Sequence, residues 1–168
     1  MKLLKVIKAI MSFGVGVIIG ACVTAYLFKD KVVKIYKGEI NSEKNMSRKH
    51  LDLYMMSNQW VRVHQEGKSI ADYLKKKGYR TIAIYGMSYA GDTLLEELKN
   101  SSIVVSYGID KGADGIYSSI NIVKPCDELE KVDAIIVTSI SYFDEIVAEL
   151  CVKIDCPIIS LEDILYEI

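Results

Sequence analysis

The residues most suited to chemistry lie in the segment TIAIYGMSYAG at positions 81–91. An apolar run typical of a β-strand leads into a turn that contains Gly86 and Gly91, and a helix pattern begins directly after it. Glycines let the backbone approach a phosphate closely, and the unpaired N–H groups of a helix's first turn stabilise the phosphate's negative charge. The segment therefore predicts a phosphate-binding turn.

The turn departs from the dinucleotide-binding pattern GxGxxG at its middle position. Gly86 and Gly91 occupy the outer positions, whereas Ser88 stands where the second glycine is expected. A side chain there crowds a pyrophosphate or adds a hydroxyl donor to a differently placed phosphate. We therefore predict a nucleotide or nucleotide-sugar site, with NAD(P) less favoured, and include Met87 and Tyr89 among its binding residues.

Polar residues also follow the neighbouring predicted strands. Asp110 comes about twenty residues after the turn, the distance at which a carboxylate accepts ribose hydroxyls, although it could instead be a solvated turn residue. Thr138 and Ser139 follow a later strand and could bind a sugar or a phosphate. Hydroxyls at such positions also cap the next helix, and we expect capping to be the more common role.

Strand and helix patterns alternate from Arg80 onward, as they do in a parallel sheet. The strand patterns lie at 81–86, 103–110, 119–124, 134–139 and 157–160, and almost no helix follows the third. Near-continuous runs of Ile and Val indicate strands covered on both faces. With right-handed crossovers they predict a compact, doubly wound, Rossmann-like α/β sheet in the order 3-2-1-4-5. Ligands bind such sheets at the reversal of strand order, beyond the carboxyl ends of the strands.

The start of the chain has a different character. Residues 9–28 form an uncharged apolar run that, at about 1.5 Å per residue, matches a bilayer core of roughly 30 Å. We expect residues 1–29 to be a single transmembrane anchor in contact with membrane lipid. Cleavage as a lipoprotein at Cys22 is the alternative, but the apolar run continues to Phe28. The excess of Lys and Arg after the run favours a cell-membrane protein whose C-terminal domain is cytoplasmic.

Two further regions follow the expected anchor. Residues 30–67 are a basic, mostly helical connector, with Met46, Leu53, Met56 and Trp60 on one loose apolar stripe. This stripe could dock on the core or pair with another copy of the chain, so a homo-oligomer through the anchor or the connector is left open. Residues 68–168 form the Rossmann-like domain.

The charge is divided unevenly along the chain. Residues 1–80 carry 16 Lys or Arg and 6 Asp or Glu, whereas residues 81–168 carry 5 and 16, so +10 and −11 add to the net −1. Nucleic-acid affinity depends on cations that meet phosphates, and the acidic half therefore argues against DNA or RNA as a partner. Three cysteines after the connector show no disulfide spacing, which suits a reducing compartment.

The second half resembles a known class of domains. The segments YLKKKGYRTIAIYGMSYAGDTLLEELK, VSYGIDK, VDAIIVTSISYFDEI and CPIISLEDILYEI are similar to small Rossmann-type, nucleoside-diphosphate-sugar epimerase-like domains of bacterial surface-polysaccharide gene sets. They are also similar to the N-terminal nucleotide-sugar-binding domain of sugar acyltransferases. The resemblance covers about residues 68–168. It implies a nucleotide or nucleotide-sugar site at Gly86, Ser88, Gly91 and Asp110.

The catalytic pair of short-chain epimerases is not found at the expected place. Those enzymes use a tyrosine followed four residues later by a lysine, near the end of the fourth or fifth strand. In this chain Tyr142 is followed by Ile146, and both histidines, His50 and His64, lie in the connector. We therefore predict no catalytic residue and no metal site.

Three functional hypotheses follow. The first is a membrane-tethered module that binds a nucleotide or nucleotide-sugar and is accessory to bacterial surface polysaccharide biosynthesis, with a glycan-biosynthesis enzyme as its protein partner. The second is a reduced NAD-dependent nucleotide-sugar epimerase or reductase that completes its site with another subunit. The third is an interaction module that has lost its ligand.

Overall fold

The computed structural model describes the backbone of residues 2–168 and, before residue 31, only part of the side chains. The chain separates into two compact units, one up to Arg48 and the other from Lys49 to Ile168. Helix α1 covers Lys2–Gln65, so it forms the first unit and supplies the opening segment of the second. The domain ranges 1–29, 30–67 and 68–168 stay predictions.

The expected membrane anchor at residues 9–28 is wrong for the part of the chain that is described. Among those residues, no helix combines the length and the apolar character needed to cross a bilayer. Helix α1 does not end near Phe28 but continues through the basic segment that begins at Lys29. The single-pass assignment and the cytoplasmic orientation depended on that anchor and are corrected with it, whereas lipid contact of residues 9–28 stays a prediction. Several apolar side chains of the stretch, such as those of Ile18, Ile19 and Leu27, lie outside the described residues.

The second unit contains the predicted parallel sheet. Its strands are β1 Thr81–Tyr85, β2 Val104–Ile109, β3 Ile122–Val123, β4 Ala134–Val137 and β5 Ile158–Ser160. All neighbours are parallel, and the order β3-β2-β1-β4-β5 confirms the doubly wound topology. Tyr85 is aligned with Ile109 of β2 on one side and Val137 of β4 on the other. The carboxyl ends of the three central strands therefore lie level at one edge.

Four further helices complete the unit: α2 Ile70–Lys77, α3 Tyr89–Leu98, α4 Phe143–Leu150 and α5 Leu161–Glu167. Helix α2 begins after the N-cap Ser69 and ends at the C-cap Gly78, whose φ of 90° favours a residue without Cβ. Between β3 and β4 the described chain has no helix. This agrees with the weak helix pattern there, and β3 is only two residues long.

Alternate side chains of β1 divide the core into two layers. Ile82 and Ile84 face a layer formed with α1, α2, α3 and α5, while Ala83 and Tyr85 face a layer formed with α4. Since each face of the sheet is covered, its central strands consist almost entirely of buried apolar residues.

The end of α1 packs into the first of these layers. Met56, Trp60 and Val63 are buried there, at steps of four and three residues. The predicted stripe is therefore correct only in its second half, since Met46 and Leu53 are exposed. Its docking on the core, one of the two alternatives for this stripe, is confirmed.

One carboxylate fastens this helix end to two others. Glu97 of α3 accepts the indole N–H of Trp60 at 2.6 Å and lies 3.2 Å from Nε2 of His64. Its other oxygen accepts the backbone N–H of Ile70, which opens α2, at 3.4 Å. A single side chain thus satisfies donors from α1 and α2.

Replacing Glu97 should loosen this junction. In Glu97→Ala the partly buried indole N–H of Trp60 loses its acceptor, and we expect the free energy of unfolding of the full chain to fall by about 1–3 kcal/mol. The matched control is Glu96→Ala, whose carboxylate is exposed and pairs with Lys99, and which should change stability by less than about 0.5 kcal/mol. Urea unfolding measures both; equal effects would contradict the assigned role.

A second carboxylate fixes the start of the sheet. One oxygen of Asp133, which precedes β4, accepts the backbone N–H of Thr81 at 2.7 Å, that of Arg80 at 2.8 Å and the Thr81 hydroxyl at 2.9 Å. These bonds, the two from backbone N–H groups first, hold the pKa of Asp133 below its ordinary value of 3.8. Asp133 therefore joins the amino ends of β1 and β4 as a carboxylate.

The contribution of Asp133 to stability should depend on pH. Because its folded-state pKa is lowered, the stabilisation is present above pH 3.8 and is lost as the pH falls through the folded-state pKa. Asp133→Asn should therefore lower the urea midpoint at pH 7, and its difference from the unsubstituted chain should narrow below pH 3.8. The control is Asp114→Asn, which removes an exposed carboxylate paired with Lys124. It should change the urea midpoint little at either pH. If the difference in urea midpoint between Asp133→Asn and the unsubstituted chain did not change with pH, the stabilising role of the Asp133 carboxylate would be contradicted.

Candidate functional site

The predicted glycine turn connects β1 to α3 at the level edge of the sheet. Gly86 has a backbone φ of 96°, a value that residues with a side chain rarely adopt. Its N–H donates to the carbonyl of Ile109 at 2.9 Å. A Cβ at Gly86 would lie 2.3 Å from Oγ of Ser139 and 2.8 Å from Oγ1 of Thr138. Both the conformation and the close approach of β4 therefore require glycine.

Gly91 is needed for a different reason. It lies in the first turn of α3, and a Cβ there would be 2.2 Å from the carbonyl oxygen of Gly86. This contact brings the helix close to the strand that precedes it. The outer two glycines of the motif thus perform the tight turn and the close helix–strand packing expected of them.

Ser88, at the middle position, leaves the helix end open. It is the N-cap of α3, is exposed, and its hydroxyl does not cap the helix. Within the described chain, the backbone N–H groups of Ser88, Tyr89 and Ala90 have no acceptor. Three donors at a ten-residue helix N-terminus are therefore available to an anion.

Met87 and Asp110 are joined across the edge of the sheet. Oδ2 of Asp110 accepts the backbone N–H of the buried Met87 at 2.9 Å, and Oδ1 accepts that of Gly112 at 2.8 Å. The carboxylate is therefore held in one orientation by two backbone donors, one of which belongs to the glycine turn. This places a negative charge beside the predicted phosphate site.

The two hydroxyls after β4 have separate surroundings. Thr138 is 2% exposed, and its hydroxyl donates to the carbonyl of Gly86 at 2.6 Å. The Thr138 hydroxyl therefore stabilises the glycine turn from its buried side. Ser139 is half-buried, makes no capping hydrogen bond and lines a cleft at the edge of the sheet.

This cleft occupies the reversal of strand order and has a volume of about 230 Å³. Seven residues line it: Tyr85, Asp110, Lys111, Ser139, Tyr142, Glu145 and Ile146. Its carboxylates belong to Asp110 and Glu145, and the ammonium of Lys111 lies 3.5 Å from Glu149. The cleft therefore favours neutral or cationic groups over anions.

Sequence reasoning did not identify Tyr85 and Glu145 as lining residues. Tyr85 is the one aromatic side chain of β1 and stands at its carboxyl end, and its alternation with Ala83 assigns it to the α4 side of the sheet. That combination was a usable signal. Glu145 could not be assigned because its position depends on the 3₁₀ turn Ile140–Tyr142 that precedes α4.

A second cavity adjoins the other side chains of the turn. An apolar groove of about 410 Å³ lies between the end of α1 and the start of α3. Its main lining residues are Leu53, Met56, Trp60, Val61, Tyr89 and Ala90. The exposed helix N-terminus thus has a polar cleft and an apolar groove nearby.

Among the described residues, no group of three or more His, Cys, Asp or Glu side chains could hold a metal ion.

Alanine substitutions should separate required glycines from tolerant ones. Gly86→Ala and Gly91→Ala place a methyl group against backbone or hydroxyl atoms, and we expect each to lower the free energy of unfolding by about 1–3 kcal/mol. Gly115→Ala is the control, since a Cβ there meets nothing within 4 Å. Urea unfolding of the full chain measures the difference; equal stability of the three variants would contradict the turn geometry.

The chain was also compared with known proteins. No protein-family model matches it. No curated protein and no solved structure matches it significantly either. Conclusions about its function therefore depend on the geometry of the turn and the cleft.

Proposed function

We propose that the second unit is a Rossmann-like module that binds a nucleotide or a nucleotide-sugar at the carboxyl ends of β1, β2 and β4. Asp110 accepts hydroxyls of the ligand's sugar, and the open N-terminus of α3 faces its phosphate. The observation that carries this proposal is the fixed orientation of the Asp110 carboxylate.

A carboxylate offers about four lone-pair positions, and the donors of Met87 and Gly112 use two of them. The remaining positions of Asp110 are available in the cleft that it lines. Two hydroxyls on adjacent carbons are the natural donors for such an acceptor. Because the carboxylate is already held in place, binding them costs little side-chain entropy.

The phosphate contributes less in this proposal than in a glycine-rich dinucleotide site. Ser88, Tyr89 and Ala90 offer backbone donors, but Asp110 and Asp92 place negative charge near them. Hydroxyl recognition therefore supplies most of the selectivity. We further propose that the ligand is a nucleotide-sugar and that the module has an accessory role in surface-polysaccharide assembly, which is what the resemblance noted in the sequence implies.

Calorimetry of the full chain tests this function directly. We expect UDP-sugars to bind with a dissociation constant below about 1 mM, a binding free energy beyond about −4 kcal/mol, while NAD and CoA bind more weakly. Asp110→Asn should weaken binding of the best ligand about tenfold or more, because the neutral amide has one acceptor oxygen instead of two and no negative charge to strengthen the hydrogen bonds that it accepts.

The control for this experiment is Asp114→Asn, a nearby exposed carboxylate paired with Lys124. Unfolding curves establish that each variant is folded before its binding is compared. If none of UDP-sugars, UDP, NAD or CoA binds the unsubstituted chain below millimolar concentration, the proposal is wrong. The interaction module then becomes the better hypothesis.

A further inference from the structure

The side chain of Tyr85 is buried without a hydrogen-bond partner for its hydroxyl. It is 4% exposed and lines the 230 Å³ cleft at the reversal of strand order. Within the described chain, its Oη is the buried side-chain polar atom that no donor or acceptor contacts. Buried polar groups in proteins are almost always paired, so this exception calls for a partner.

Tyr107 is a buried tyrosine of the same layer whose hydroxyl does have a hydrogen-bond partner. It lies on the adjacent strand, faces the same side of the sheet and is 3% exposed. Its hydroxyl donates to the carbonyl of Glu130 at 2.6 Å. The layer can therefore provide an acceptor for a tyrosine, whereas the hydroxyl of Tyr85, a residue that lines the cleft, has none.

The chemistry of the partner follows from the groups around it. Burial, and then the charges of Glu149 and Asp110, raise the pKa of Tyr85 to about 12, so the hydroxyl keeps its proton at neutral pH. A partner that satisfies this O–H donor must therefore accept a hydrogen bond. An ammonium group has no acceptor, and an anion would face the carboxylates of Asp110 and Glu145. A neutral hydroxyl can accept from Tyr85 and donate to a carboxylate at once.

We infer that this cleft binds the hydroxyl-bearing ring of a sugar, with Tyr85 donating to one ring hydroxyl while Asp110 and Glu145 accept from others. The cleft is smaller than the roughly 300–1,000 Å³ of pockets for drug-sized ligands, which suits a single ring. Ribose and a hexose share this chemistry. The inference rests on the proposed function for the ligand class and adds Tyr85 and Glu145 as residues that determine specificity.

The test uses the full chain with ¹³C at Cζ of its tyrosines. The probes are methyl β-ribofuranoside, methyl glucoside, uridine, UDP and UDP-glucose. We expect at least one sugar-containing probe to shift the Tyr85 resonance, assigned by its loss in Tyr85→Phe. That variant should bind the same probe about five- to tenfold more weakly, as expected for one lost hydrogen bond. Tyr107→Phe should bind it normally.

Stability separates a ligand role from a structural one. Tyr85→Phe removes no hydrogen bond from the unliganded protein and should unfold at the same or a higher urea concentration. Tyr107→Phe removes one and should unfold at a lower concentration. A loss of stability in Tyr85→Phe equal to that in Tyr107→Phe would overturn the inference, because Tyr85 would then have an internal partner.

The probes also distinguish the possible sources and failures. A response to the ribofuranoside and uridine assigns the cleft to ribose, and a response to methyl glucoside and UDP-glucose assigns it to a hexose. If UDP binds but no probe shifts Tyr85, the inference fails and the proposed function stands. If free glycosides shift Tyr85 while UDP and UDP-glucose do not bind, the inference stands and the proposed function fails. If no probe shifts the Tyr85 resonance, the Tyr85 hydroxyl binds none of these sugars and the inference is wrong.

Discussion

The backbone contact at the end of β1 is the constraint on which the edge of the sheet depends. The carbonyl of Gly86 accepts the hydroxyl of Thr138 at 2.6 Å and lies against Gly91 of α3. The strand, the helix that follows it and the neighbouring β4 therefore converge on one peptide group. Any side chain at Gly86 or Gly91 separates these elements, and with them the groups that line the cleft.

Much of the fold follows from local sequence signals. The runs of Ile and Val and the alternation of strands with helices are local patterns, and with right-handed crossovers they were sufficient to predict the parallel sheet and its strand order. The apolar stripe on the end of α1 was only partly correct, because the phase of a helix against its core depends on tertiary contacts such as that between Trp60 and Glu97. The expected membrane anchor was an inference from hydropathy alone, and the described residues do not support it.

The site was less predictable than the fold. Positions of Gly86, Gly91 and Asp110 followed from spacing, because a strand and a turn fix where each residue emerges. The partners of Asp110 did not, since Met87 and Gly112 come from two loops that only the folded sheet brings together. For the same reason, Thr138 was a candidate ligand group in the sequence but supports the turn in the structure. An unpaired hydroxyl such as that of Tyr85 is visible only once every neighbour is in place.

The chain contains one tryptophan, and its location gives that residue an optical use. Trp60 is buried where α1 meets α3, donates to a charged carboxylate and also lines the apolar groove beside the turn. The emission of an indole depends on its polarity and on nearby charge, so fluorescence from this chain comes from one defined junction. Undocking of the α1 end can therefore be followed through the emission of this one indole. The protein has an intrinsic reporter at the boundary between its helical entry and the edge of the sheet.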